Sequence, residues 1–162
     1  MEDPKVISNW MKREVISVRP EATVLQATAL ILEKRVGTLP VVDDAGILVG
    51  VASITDIIKI FLPDFLSFMD DIDFVKDYGI LEASSSEDRE RAKRLRVADI
   101  MEQPVSVEDS SGLVHALSVM EKHNLRDLPV VRKGKLVGIA SQVDIGCAFL
   151  TAYARETGPL RQ

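Results

Sequence analysis

Cysteine is almost absent: Cys147 is the only one in 162 residues, so an internal disulfide and a multi-cysteine metal site are both excluded. A lone thiol suits a reducing compartment. Histidine is scarce too, with only His115 and His123, and no Ser-His-Asp, His-x-x-x-His or glycine-rich phosphate-loop pattern occurs. No apolar run approaches the ~20 residues that span a bilayer. Met1-Glu2-Asp3-Pro4-Lys5 has no basic segment leading into an apolar one, so no signal peptide is expected. An excess of positive charge is also missing. The net charge of -5 and pI near 5.1 argue against non-specific nucleic-acid binding, which lysine and arginine drive by neutralising phosphates. What is present, 46% hydrophobic and 28% charged residues, is the balance of an ordinary globular protein. The length fits one compact domain or two small units sharing a core. The expectation is a cytoplasmic protein without membrane attachment.

One stretch occurs twice. Its first copy is Leu39-Pro40-Val41-Val42, then Asp44-Ala45-Gly46, then Gly50-Val51-Ala52-Ser53-Ile54-Thr55-Asp56. The second is Leu128-Pro129-Val130-Val131, then Lys133-Gly134, then Gly138-Ile139-Ala140-Ser141-Gln142-Val143-Asp144. Each reads as a buried strand, a glycine-bearing tight turn, a second apolar strand and a helix start marked Ser-x-x-Asp. The prolines lie 89 positions apart and the aspartates 88, so one turn residue separates the copies. Duplicated supersecondary units usually bury their apolar faces on each other.

The flanking elements recur as well. Ile7-Ser8-Asn9-Trp10-Met11 parallels Val97-Ala98-Asp99-Ile100-Met101, and the β-favouring runs Val15–Val18 and Val105–Val107 follow, read as strands. A helix comes next. In copy one Thr23-Val24-Leu25-Gln26 fits a capping box, with Val24, Ala27 and Ile31 on the apolar face and Thr28 in the i+4 slot. In copy two Gly112 is the weaker cap, and Leu113, Ala116, Leu117 and Met120 form the face. After the first hairpin, Ile54, Ile57, Ile58 and Phe61 sit at helical spacing. The last helix carries two apolar stripes, Val143/Gly146/Cys147/Leu150 and Ile145/Ala148/Phe149/Ala152, and Gly158-Pro159 ends it. One stripe can face the core. The other is left for a second subunit, so a homodimer is expected.

Between the copies runs an insertion, residues 61–96. Phe65, Phe68, Met69 and Ile72 form a helical stripe backed by Asp64, Asp70, Asp71 and Asp73, which suits a core- or seam-capping helix rather than a membrane-surface helix with a basic polar face. Ala83-Ser84-Ser85-Ser86 reads as a loop. Ser85-x-x-Asp88 can cap a charged helix from Glu87 to Arg96, whose mixed signs mark a solvated helix rather than a nucleic-acid patch.

The duplicated order strand, helix, strand, strand, helix, with Leu-Pro-Val-Val, Gly-x-x-Ser-x-x-Asp and the opening Met11 and Met101, resembles a tandem pair of cystathionine β-synthase (CBS) domains, a Bateman module. The division is then 5–60 for repeat one, 61–96 for the helical insertion and 97–152 for repeat two. The resemblance implies an α/β (α+β) fold of two βαββα units related by pseudo-twofold symmetry, with a cleft on each side. It implies adenosine-containing ligands (AMP, ADP, ATP or S-adenosylmethionine), a regulated partner protein, dimerisation into a disc, and no catalysis.

The Ser53/Asp56 and Ser141/Asp144 pairs have an ordinary explanation as helix caps worth ~1 kcal/mol. The same geometry can also bind a nucleotide. A helix N-terminus offers N–H groups and partial positive charge to a phosphate, the serine hydroxyl can add a donor, and the aspartate can accept both ribose hydroxyls. By the resemblance each cleft is shared: Ser141 and Asp144 join Ser17, Val18 and Val36, while Ser53 and Asp56 join Ser106, Val107 and Leu125. The apolar side chains then sandwich the adenine ring. Core packing is the plainer account of any one of these valines. Gly37-Thr38 stand before Pro40, and Arg126-Asp127 before Pro129. Arg126 can serve a phosphate, with His123 and Lys122 as helpers, whereas Asp127 would repel one. AMP-like ligands or unequal affinities are therefore expected rather than two triphosphates.

Three functions compete on these residues. A non-catalytic ligand sensor and energy sensor, acting on an effector protein by population shift, leads. An enzyme lacks its constellation: His115 lies on a polar helix face, and Asp56 and Asp144, the one conceivable metal pair, fall on separate clefts. A scaffold with empty clefts, joined to partners through the Phe-rich insertion, is the alternative.

Overall fold

The computed structural model describes residues 5–61 and 86–158. The expected stripe Phe65, Phe68, Met69 and Ile72, and the cap at Ser85, lie outside those residues. Two compact units form. Among the described residues one contains 5–15, 42–49 and 103–158, and the other 16–41, 50–61 and 86–102. The units do not follow the repeats. Each takes the lead-in that precedes the other copy.

Helix α1 (Val24–Lys34) of the second unit precedes the hairpin β1 (Thr38–Val42) and β2 (Leu48–Ser53), whose tip, 42–49, belongs to the first unit, and α2 (Ile54–Phe61) follows it. The charged helix α3 (Ser86–Arg94) begins at Ser86 itself, and a short turn of helix, α4 (Val97–Ile100), closes the unit. Helices α1, α2 and α3 pack on one another. The capping box is present: Gln26 N donates to Thr23 Oγ1 at 3.1 Å, and Thr23 N donates to Gln26 Oε1 at 2.9 Å. Val24 and Ala27 are fully buried and Ile31 nearly so, as their spacing requires. Thr28, in the i+4 slot, turns its hydroxyl back to Val24 O at 2.8 Å.

In the first unit, a single 3₁₀ turn (Ile7–Asn9) is followed by β3 (Val107–Glu108), α5 (Leu113–His123), β4 (Asp127–Arg132), β5 (Lys135–Ser141) and α6 (Gln142–Thr157). The sheet order is β3-β4-β5, with β3 parallel to β4 (Val107 opposite Val130) and β4 antiparallel to β5 (Asp127 opposite Ser141). In copy one the same register survives as a single parallel bridge, Val18 to Val41. The strands expected at 15–18 and 105–107 are thus shortened to Val18 and to Val107–Glu108. Pro20 accounts for the shorter of the two: its counterpart Asp109 donates its N–H to Val131 O at 2.9 Å, and proline has no N–H to give. The core joins Ile7, Leu113, Ala116, Met120, Leu128, Val130, Ala140, Ile145 and Ala148. Of the two stripes on α6, the one bearing Ile145 and Ala148 faces inward. Val143, Leu150 and Tyr153 remain 71%, 63% and 56% exposed.

The exchanged lead-ins are held in the same way in both units. Val97 N donates to Ala22 O (2.8 Å) and Val24 N to Leu95 O (2.9 Å); Ile7 N donates to Ser111 O (2.9 Å) and Leu113 N to Lys5 O (2.8 Å). The last of these engages the first helical N–H above Gly112, which has no side chain to help cap the helix. Beyond each lead-in, Glu102 pairs with Val51 and Lys12 with Ile139. Met101 then lies against Gly50 and Met11 against Gly138, so closely that a Cβ at Gly50 would stand 2.5 Å from Met101 Sδ. Only glycine admits that approach.

The turns use different chemistry. Lys133 (φ 51°) and Gly134 (φ 82°) make a two-residue hairpin turn with both residues left-handed, matching the twist of β4 and β5. In the longer first turn Asp43 Oδ1 accepts from Ala45 N and Ile47 N, both at 2.9 Å. The tips then bond within the first unit, Leu48 N to Gly134 O and Leu136 N to Gly46 O, each at 3.0 Å. Among the described residues no helix is long and apolar enough to cross a membrane.

Candidate functional site

Strand β2 ends at Ser53 and α2 begins at Ile54; β5 ends at Ser141 and α6 begins at Gln142. At both junctions the chain must turn from extended to helical, and the serine–aspartate pair makes that turn. Ser141 Oγ donates to Asp144 Oδ2 at 2.7 Å and accepts from Asp144 N at 3.1 Å, while Ser141 N donates to the same Oδ2 at 3.3 Å. Copy one repeats it: Ser53 Oγ to Asp56 Oδ2 at 2.6 Å, Asp56 N to Ser53 Oγ at 3.2 Å, Ser53 N to Asp56 Oδ2 at 2.8 Å. The next N–H is also engaged, Ile54 N with Gly37 O (2.9 Å) and Gln142 N with Arg126 O (2.8 Å). The residues before each proline are thereby fastened to the helix start.

This geometry revises the role expected of the serines. Each hydroxyl proton is committed to the aspartate, so in this arrangement the serine offers no donor to a phosphate. Oδ2 of each acid is likewise occupied, which leaves Oδ1 as the remaining acceptor. Oδ1 of Asp144 accepts no hydrogen bond among the described residues. Oδ1 of Asp56 stands 3.8 Å from Lys59 Nζ, one turn further along α2. Lys59 was readable from its i+3 spacing to Asp56 but lies outside the repeated motif.

The remaining candidates divide by burial. Val18, Val107, Pro40 and Pro129 are buried, the prolines almost completely, and belong to the core. Val18 N donates to Pro40 O at 3.0 Å, tying first strand to central strand. Ser17, Val36 and Thr38 in copy one, and Ser106, Leu125 and Asp127 in copy two, are half-buried; Gly37 and Arg126 are exposed. Of these, Gly37 and Arg126 meet their own copy's helix start through the carbonyls that accept from Ile54 N and Gln142 N. The joining of Ser141 and Asp144 with Ser17, Val18 and Val36 that the resemblance implies draws on both units, and the geometry above is each copy's own. Asp127 is placed directly opposite Ser141 in the β4–β5 ladder, on the same side of the sheet as the cap.

Known proteins share this plan. CBSX2 of Arabidopsis thaliana, a chloroplastic CBS domain-containing protein, is 34% identical over 148 residues, covering 86% of this chain and 60% of that one. The protein MJ1404 of Methanocaldococcus jannaschii is 30% identical over 147 residues, but this chain spans only 32% of its length. The crystal structure of CBSX2 in complex with AMP matches with a TM-score of 0.66 at 31% identity, covering 91% of this chain and 98% of that one. The CBS domain model matches residues 7–63 and 97–146, the two stretches that carry the repeated hairpins and capped helix starts. With both copies matched and most of the chain covered, the protein belongs to the CBS domain family as a tandem pair.

Proposed function

We propose that this chain is a non-catalytic regulatory module that binds adenosine-containing ligands (AMP, ADP, ATP or S-adenosylmethionine) and passes their presence to an effector protein. One observation carries the reading: both helix starts hold an aspartate by the same bonds, with Oδ2 fixed by its serine and Oδ1 taking no hydrogen bond among the described residues. A rigid acceptor of this kind suits a ribose hydroxyl, and two lone pairs on one oxygen can take both hydroxyls. The likeness to CBSX2, crystallised with AMP, supports adenosine as the ligand class. The half-buried Val36 and Leu125 suit an adenine ring, and the core valines Val18 and Val107 hold the strands behind it. Ligand binding shifts the population of conformers by its differential affinity for them. The exposed α6 face bearing Val143, Leu150 and Tyr153 is covered by a second copy.

A thermal-shift series with AMP, ADP, ATP and S-adenosylmethionine tests the reading. Ligand at ~100 times its Kd stabilises the fold by ~2.7 kcal/mol, and the shift disappears in Asp56→Ala or Asp144→Ala. The competing scaffold reading draws on the completeness of the two caps, which explain Ser-x-x-Asp without any ligand. Absence of a shift with all four compounds decides for the scaffold.

A further inference from the structure

Each lead-in closes with a methionine laid on a glycine. Met101 Sδ stands 2.5 Å from where a Cβ on Gly50 would begin, and Met11 Sδ occupies the same place over Gly138. The residue after each methionine fastens the strand with two hydrogen bonds. Glu102 N donates to Val51 O at 2.9 Å and Val51 N to Glu102 O at 3.1 Å. Lys12 N donates to Ile139 O at 2.8 Å and Ile139 N to Lys12 O at 2.9 Å. The two latches are built alike but sealed differently. Met11 is 8% exposed and belongs to the hydrophobic core, against which Trp10 also packs. Met101 is half-buried, has Ile100 in place of the tryptophan, and is followed by the exposed Glu102. The Lys12 carbonyl closes in on Gly138 as well, whereas the atoms nearest Gly50 all belong to Met101. Of the two thioethers, the one at Met101 is therefore the more open to an oxidant arriving from water.

We propose that Met101 is an oxidation-sensitive latch: a peroxide converts its thioether to the sulfoxide and releases the lead-in from β2, while Met11 keeps its own lead-in in place. The sulfur attacks one peroxide oxygen and the O–O bond breaks. Sulfur loses two electrons and gains that oxygen, whose proton goes to the departing hydroxide, so hydrogen peroxide leaves as water. The product is polar and needs a hydrogen-bond donor. The N–H groups of Met101, Glu102 and Val51 are already committed, to the carbonyls of Val97, Val51 and Glu102. The sulfoxide oxygen therefore turns to water and draws the sulfur off Gly50. Glycine has no side chain to fill the place left behind. The Glu102–Val51 pair then stands without packing beside it. Strand β2 runs on from Val51 to the Ser53 cap within two residues, so the opened latch loosens the strand end that holds Asp56.

Graded hydrogen peroxide on the full chain, read by peptide mass mapping and hydrogen exchange, tests this. Met101 is expected to oxidise about tenfold faster than Met11 and Met120. Exchange in peptides spanning 50–53 and 97–102 rises in step with sulfoxide at Met101, while peptides spanning 10–13 and 137–140 stay protected. The melting temperature falls by about 3 °C or more, and a methionine sulfoxide reductase with a thiol restores it. Met101→Leu, which carries no sulfur there, melts at one temperature before and after peroxide. Equal oxidation of Met101 and Met11 overturns the proposal. So does full sulfoxide at Met101 with unchanged exchange in its two peptides, a reading that needs no variant. A fall of the same size in peroxide-treated Met101→Leu places the loss elsewhere and overturns it too.

Discussion

Ser53 and Ser141 are each bonded three times within their own motif, and those bonds hold the aspartate in place. Removing the hydroxyl exposes a helix-start N–H and frees the carboxylate. Ser141→Ala is expected to cost about 1 kcal/mol, a fall of about 2–4 °C in the melting temperature. Ser141→Thr, which keeps the oxygen, restores most of it, and a calorimetric melt of the two variants without ligand reads the difference. A loss confined to ligand affinity, with no change in the unliganded melt, contradicts the structural role of the hydroxyl. The pair itself was legible from spacing alone. Its consequence for the hydroxyl proton was not, since a sequence cannot show which of two acceptors a rotatable O–H chooses.

At the scale of elements, glycine and methionine work as a couple. Gly138 is closed in by Met11 and by the Lys12 carbonyl, whose oxygen would lie 3.1 Å from an alanine Cβ at that position, whereas Gly50 faces only the flexible Met101 side chain. Gly138→Ala is therefore expected to destabilise by roughly 1–3 kcal/mol and Gly50→Ala by less. Urea unfolding of both variants ranks them, and equal losses refute the difference in surroundings. The hairpins, capping boxes and apolar helix faces could all be read from the sequence because they follow from local periodicity and turn chemistry. Three features could not. The first strand of copy one shrinks to a bridge because Pro20 lacks the N–H that Asp109 gives to Val131 in copy two. The choice between the two stripes of α6 depends on the sheet it packs against. The pairing of Met11 with Gly138 links residues 127 positions apart, and no local pattern announces it.

For the whole molecule, an apolar strip on α6 remains in water within one chain, with Val143 and Leu150 more than 60% exposed. Covering it with a second copy removes that cost. Sedimentation velocity is expected to report a dimer for the unaltered chain and a monomer for Leu150→Lys. A chain that is monomeric at all concentrations refutes self-association through this face. The resemblance to a tandem pair was legible because two matched copies leave twice the evidence of one.

The exchange of lead-ins has a consequence of its own. The segment that recurs along the chain and the body that coheres in space are cut at different places, since Ile7 completes the core built on Leu113 and Ile145, and Val97 bonds to the start of α1. A scissor placed between the copies would divide both bodies at once, leaving each half with a plug that fits only the other half's socket.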